Sequence, residues 1–190
     1  MCGRLSIISA TLNKQVSHFI QNDFNAINNT NLTPKKSVSI LANIHGHIRQ
    51  VNTKWGIQPD WSKKLIINAQ SETASVKQTF RVAFRTRRCV VPCSGWFEWS
   101  NLDGKKKKYL FNAENNQPLY MAGLCFDYLH KMPELVTLTT KPTELCAQYH
   151  NKMPLLLSAE DISSWIMLPP ARVSQFLTGA DTKLKISLAT

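Results

Sequence analysis

A single β-rich α+β domain is what this sequence predicts, and three features predict it. Apolar residues fall mostly into short runs bounded by turn residues, the pattern of strands. Only a few stretches carry the wider helical spacing. The 190 residues are 43% hydrophobic, enough for one sizeable core, and no linker, repeat or low-complexity tract divides them.

Leu5-Ser-Ile-Ile8 predicts the first strand. Thr11 is expected to cap a helix whose apolar positions, Leu12, Val16, Phe19 and Ile20, recur at helical spacing. Residues 22–34, rich in Asn and Thr, predict a loop. Residues 38–41 and 48–51 predict a hairpin that turns near His45-Gly46-His47, and Leu65-Ile-Ile67 a short, fully apolar strand. Residues 89–91, 96–99, 109–111, 119–124 and 135–139 predict an antiparallel meander. Ser158 and Asp161 resemble a capping box opening a helix through Trp165. Pro169 and Pro170 precede a second short helix that ends near Gly179.

Composition narrows the function. No apolar run is long enough to span a bilayer, and the N-terminus lacks the basic and apolar segments of a secretion signal. The expectation is a cytoplasmic protein with reduced thiols. Its cysteines, Cys2, Cys89, Cys93, Cys125 and Cys146, are odd in number and irregular in spacing, which speaks against a disulfide framework. Cys89 and Cys93 have no second pair to complete a zinc site, so no metal is expected, and the four internal cysteines read as small buried residues. Lys plus Arg number 23 against 12 Asp plus Glu, and the net charge of +11 favours a polyanionic partner. The charge alone fits DNA, RNA or an acidic membrane surface equally. Lys105 to Lys108 follow Asn101-Leu-Asp-Gly104, where a lysine run reads as the solvated tip of a hairpin.

Five places could carry chemistry. Removal of Met1 would expose Cys2 as an N-terminal residue with an amine and a thiol on adjacent carbons. An α-amine titrates at roughly 7.7–8.0, so a useful fraction is nucleophilic at neutral pH. The amine can form an imine with an aldehyde, and the thiol can then close a thiazolidine ring. Cys2 fits an incidental residue at a frayed terminus too. If residues 96–100 form a strand, Glu98 shares a face with Trp96 and Ser100 while Phe97 and Trp99 face away. Aromatic flanks would desolvate Glu98 and suit it to proton transfer, although an exposed edge-strand Glu fits as well. His150, before the proline-terminated loop at Met153-Pro154, is a candidate acid or base or a structural imidazole. Asn68 ends an apolar run and can bond a ligand or cap a turn. Trp55 and Trp61 bracket a Gly/Pro loop, where they can stack on unpaired bases or lid the core.

Together and in order, these segments resemble the SRAP family, the SOS-response-associated peptidase-like proteins that process abasic sites. The resemblance is carried by Met1-Cys-Gly-Arg4, Asn31-Leu-Thr-Pro34, Trp55-Gly-Ile-Gln-Pro-Asp-Trp61 and Asn68-Ala-Gln-Ser-Glu-Thr73. It continues through Arg87-Arg-Cys-Val-Val-Pro92, Gly95-Trp-Phe-Glu-Trp99, Ala122-Gly-Leu124, Thr139-Thr140 and His150-Asn-Lys-Met-Pro154. It implies antiparallel strands in a barrel-like core, a few peripheral helices and a basic cleft for single-stranded DNA. It further implies that the terminal cysteine crosslinks to the ring-opened sugar of an abasic site. On this likeness Cys2 is the nucleophile, Asn68 holds the cysteine or an adjacent phosphate, Glu98 handles protons near the amine, and His150 assists ring opening. Arg4, Pro34, Trp55, Trp61, Gln70 and Arg81 are assigned to the DNA path. A monomer working without a cofactor in the cytoplasm, at the nucleoid, is expected.

Two departures bear on DNA grip. Gln70 stands where the family often has arginine, and the chain stops at Thr190 where many members continue into a further basic segment. Two other readings fit the residues. One is a cysteine peptidase or hydrolase with Cys2 as thiolate and His150 as its base. The other is a module that binds single strands or modified bases without a covalent bond.

Overall fold

The computed structural model describes residues 2–101, 104–126 and 132–189. Strands dominate: β1 Leu5–Ile7, β2 Asn29–Leu32, β3 Ser37–Ile44, β4 His47–Trp55, β5 Asn68–Gln70, β6 Arg88–Cys93 and β7 Gly95–Ser100. They continue as β8 Lys107–Ala113, β9 Leu119–Phe126, β10 Glu134–Thr140, β11 Met153–Pro154, β12 Leu156–Leu157 and β13 Leu184–Leu188. The helices are α1 Ser9–Ile20, α2 Ser71–Ala74, α3 Gln78–Thr86, α4 Glu144–Ala147 and α5 Asp161–Met167.

Two sheets build the core. In the first, the order is β13-β8-β7-β1-β2, with every pairing antiparallel. In the second, β4, β3, β6, β9 and β10 form a closed ring. Four of its seams are antiparallel, and a parallel seam between β10 and β4 closes it. Closure removes free edges, and along these strands Ile40, Leu41, Val90, Met121, Leu124 and Leu135 are all buried, so both faces of the ring are covered. β5 adds to the other half of β10 in parallel, beside Thr137 to Thr139. This architecture is the β-rich α+β class with a barrel-like core.

The hairpin turn is made as the sequence predicts. His45 and Gly46 both have positive φ, 50° and 83°, as a two-residue turn matched to strand twist requires. The Asn43 side-chain oxygen accepts the Gly46 N–H at 2.8 Å. Gly95 opens β7 where the backbone of β8 crosses closely, and a Cβ there would sit 2.5 Å from the Phe111 carbonyl.

Several expectations are corrected. The first helix begins at Ser9, so Thr11 lies inside it, and its hydroxyl donates back to the Ile8 carbonyl at 3.4 Å. Part of the Asn/Thr-rich stretch is strand β2, because its backbone completes the edge beside β1. Leu65 to Ile67 are half-buried and form only an isolated bridge, Ile66 to Ile57. The five strands from β6 to β10 are not one meander: β7 and β8 belong to the first sheet and β6, β9 and β10 to the ring. After Pro169 the chain makes two 3-10 turns, Pro170–Arg172 and Ser174–Phe176. Ser158 does cap α5, accepting the Asp161 N–H at 3.2 Å and donating to its carboxylate at 2.7 Å. Leu102 and Asp103, in the expected hairpin tip, lie outside the described residues, as does Met1. Among the described residues, no helix is long and apolar enough to cross a membrane.

Candidate active site

Both sheets contribute to one buried polar cluster. Cys2 and Arg4 extend β1 along β7, where the Arg4 carbonyl accepts the Phe97 N–H at 3.0 Å and the Cys2 thiol at 4.0 Å. From the other side, Asn68 at the start of β5 donates its side-chain N–H to the Cys2 carbonyl at 2.8 Å. Its side-chain oxygen accepts the Thr137 hydroxyl at 2.5 Å. The terminal segment is thus pinned by one strand from each sheet. Cys2 is 1% exposed, and burial, reinforced by the Glu98 charge, pushes its thiol well above the ordinary range. That thiol stays protonated at neutral pH.

Glu98 lies on the inward face of β7 with Trp96, as strand alternation predicts, and it is 3% exposed rather than an edge residue. Burial raises its carboxyl to about 7. Burial first, and then the Glu98 charge, raise the Cys146 thiol of α4 as they do that of Cys2, so both thiols lie within electrostatic reach of the carboxylate. His150 follows α4, its N–H bonded to the Cys146 carbonyl at 3.1 Å. The neighbouring Tyr149 ring packs edge-on against Tyr109, at 4.8 Å, which is the cross-strand partner of Glu98. The His150 Nδ1 lies 3.1 Å from the Lys152 N–H and 3.2 Å from the Lys152 carbonyl. A neutral ring accepts the N–H there and carries its proton on Nε2; a charged ring donates to the carbonyl. Burial pulls its pKa below the usual imidazole value.

The outer face of β7 has the opposite character. Lys108 stands 3.9 Å from the centre of the Phe97 ring and 5.8 Å from that of Trp99. The Arg4 guanidinium lies over Trp99 at 5.5 Å. Both cations bond the Asn31 side-chain oxygen, Arg4 at 3.3 Å and Lys108 at 3.0 Å. Desolvation, together with the Arg4 charge, lowers the Lys108 pKa. Two cations gathered on aromatic rings form a surface that an anion would neutralise.

A family model described as SOS response associated peptidase (SRAP) matches residues 1–187. The chain belongs to the SRAP family. The Bacillus subtilis protein named abasic site processing protein YoqW is 30% identical over 148 residues, covering 72% of this chain and 65% of that one. This SRAP chain therefore spans just under two thirds of YoqW. Abasic site processing protein YedK of Escherichia coli is 27% identical over 176 residues, covering 87% of this chain and 79% of that one. A crystal structure of a Bordetella bronchiseptica protein superposes with a TM-score of 0.86 over 100% of both chains at 20% identity. One from Bacteroides thetaiotaomicron gives 0.80 over 100% of this chain and 92% of that one, also at 20%. Both share the fold.

Of the residues singled out from the sequence, Cys2 and Asn68 bond directly, Glu98 lies within electrostatic reach of Cys2, and His150 joins through α4 and Tyr149. Arg4 lies beside them on the basic face. Pro34 is half-buried and Gln70 exposed at the end of β5. Trp61 is 69% exposed and lines a separate hollow of about 550 Å³ with Ile57, Pro59, Gln78, Thr79 and Phe126. Arg81 is exposed one turn further along α3. Trp55 is corrected: it is wholly buried, and its indole N–H donates to the Ile67 carbonyl at 3.3 Å, so it packs the core and presents no face to a base. Lys108 is corrected too, because it lies in β8 against two rings rather than in a solvated turn. Its alternation with the aromatic positions of β7 was the available signal. The internal cysteines are buried thiols, as expected.

Proposed function

We propose that this SRAP chain processes abasic sites in single-stranded DNA by covalent capture through Cys2 after loss of Met1. The observation that carries the reading is the anchoring of the Cys2 carbonyl by Asn68 beside a carboxylate that titrates near 7. Anchoring the carbonyl orients the residue's amine and thiol together, which supplies the proximity that free cysteine lacks. Glu98, poised at the working pH, suits proton transfer in either direction.

The steps balance without an oxidant. His150 passes a proton as the closed sugar opens to its aldehyde. The Cys2 amine attacks the aldehyde carbon, a C–N bond forms, and water leaves to give the imine. The Cys2 sulfur adds to the imine carbon, and its proton reaches the nitrogen by way of Glu98, closing the thiazolidine. The imine stage also permits strand cleavage by β-elimination, a slow side reaction. Arg4, with Trp61, Gln70 and Arg81 further along, would carry the strand by contacts that hold little sequence information. A Cys–His hydrolase would need a depressed thiol pKa, whereas burial and the Glu98 charge push Cys2 the other way. That contrast favours the amine as first nucleophile.

Intact-mass measurement after mixing with an abasic single strand tests the proposal. The expected species is the chain lacking Met1 plus the oligonucleotide minus one water. Cys2→Ala, or an N-terminal extension that blocks the amine, should give none. A Cys2→Ala protein that still forms the adduct would sink the reading, and undiminished binding by that variant with no adduct from the native chain would point to a non-covalent module.

A further inference from the structure

We infer that Thr137 is a positioning residue for Cys2, acting one step removed through Asn68; the inference rests on the covalent reading above. Thr137 is buried in the middle of β10, directly beside Asn68 in the parallel ladder. Its N–H donates to the Ile67 carbonyl at 3.0 Å, so the backbone fixes where its hydroxyl points. That hydroxyl lies 2.5 Å from the Asn68 side-chain oxygen and 3.1 Å from the Ile67 carbonyl. It has one proton for two acceptors, and the shorter contact receives it. The Ile67 carbonyl already takes the Trp55 indole N–H and the Thr137 backbone N–H.

The consequence lies in which way the Asn68 amide faces. The Cys2 carbonyl can only accept, so Asn68 must turn its nitrogen toward it and its oxygen toward Thr137. The Cys2 carbonyl selects that orientation, because a turned amide would set oxygen against it, and the Thr137 hydroxyl holds it by donating to the Asn68 oxygen. The three groups form a short relay, Thr137 to Asn68 to Cys2, with every member buried or half-buried. Thr137 touches no reacting atom. It sets the angle at which the aminothiol meets an aldehyde.

Thr137→Val keeps the shape and removes the donor, and Thr137→Ser keeps the donor. At saturating abasic single-stranded DNA, Thr137→Val should form adduct about tenfold to thirtyfold more slowly, the cost of leaving one buried acceptor unmatched. Its affinity for an undamaged single strand should be unchanged, and Thr137→Ser should recover the rate to within about threefold. In an Asn68→Ala background, Thr137→Val should cost nothing further, since its effect runs through Asn68. Equal rates for Val and native, no recovery by Ser, or full additivity with Asn68→Ala would each overturn the inference. A direct readout separates this from the parent proposal. The Asn68 side-chain amide protons should exchange slowly in native protein and Thr137→Ser and faster in Thr137→Val. If the native chain forms no adduct, covalent capture fails, while unchanged amide exchange in Thr137→Val would refute the relay on its own.

Discussion

Arg88 and Glu98 are both almost wholly buried, at 4% and 3% exposure, and each brings a charge into the interior. Their surroundings differ completely. Arg88 donates from Nε to the Trp165 carbonyl at 2.7 Å and from Nη1 to the Phe84 carbonyl at 2.6 Å. A third bond, from Nη2, reaches the Leu168 carbonyl. These carbonyls lie at the C-terminal ends of α3 and α5, where helix dipoles favour a cation. The Phe84 and Trp165 rings flank the guanidinium at 5.9 and 5.7 Å. Arg88 therefore holds two helices to the ring, with a backbone carbonyl bonded to each of its three nitrogens. Glu98 sits among thiols and aromatic rings, and its pKa climbs to about 7. A buried charge locked into backbone carbonyls is scaffold; one whose titration is lifted into the working range beside a nucleophile is chemistry.

Removing the two charges should therefore shift stability in opposite directions. Arg88→Met strips the donors from carbonyls that stay buried, which should destabilise the fold by about 3–5 kcal/mol and lower Tm by about 10 °C. Calorimetry at several pH values checks this, and the loss should be independent of pH. Glu98→Gln should do the reverse above neutrality. A carboxyl whose folded pKa is raised is bound to its proton more tightly in the folded chain than in the unfolded one. Stability then falls as pH rises from the ordinary carboxylate range to about 7, and stays low above it. Glutamine removes that loss, so at pH 8 the variant should gain on the order of 2–3 kcal/mol, with little difference at pH 4. Adduct formation should meanwhile drop by roughly 10²–10⁴, and the inflection near pH 7 should leave the rate profile. A Glu98→Gln protein less stable than native at pH 8 would break the comparison.

The sequence carried the local part of this contrast and missed the long-range part. Strand alternation put Glu98 inward with Trp96 and set Phe97 and Trp99 on the opposite face, where Phe97 is buried under Lys108 and Trp99 is half-buried. The turn at His45-Gly46 was readable because positive φ demands those residue types. Helix α3 left a usable mark, Phe80, Ala83 and Phe84 at helical spacing, but basic residues surround it and Lys77 supplies no side-chain cap. Strand β2 has no apolar alternation to read, since pairing with β1 alone makes it a strand. Closure of the ring, which buries Trp55 beside Leu135, depends on a parallel seam that no local pattern encodes. The same holds for the site. Cys2, Asn68 and Glu98 each stand in a recognisable motif, yet the Thr137 bond spans 69 positions and only the fold reveals it.

An aromatic ring and a cation nearer the surface give the smallest effects and sharpen the contrast, because they should touch binding and not stability. Trp61 is 69% exposed, so Trp61→Ala should leave Tm within a degree or two while weakening single-strand affinity by about 1–3 kcal/mol, the value of one stacked base. Lys108→Ala should weaken it less and in a different manner. Lys108 shares the Asn31 oxygen with Arg4 and has its pKa lowered by desolvation and by that neighbouring cation. Two like charges held together gain most when a phosphate sits between them. Deleting one should reduce the slope of log affinity against log salt by about 1 while sequence preference stays flat. Titrations at three salt concentrations decide it. An unchanged slope would mean that Lys108 only shields Phe97 and Trp99, and that the strand runs along the other side of Arg4.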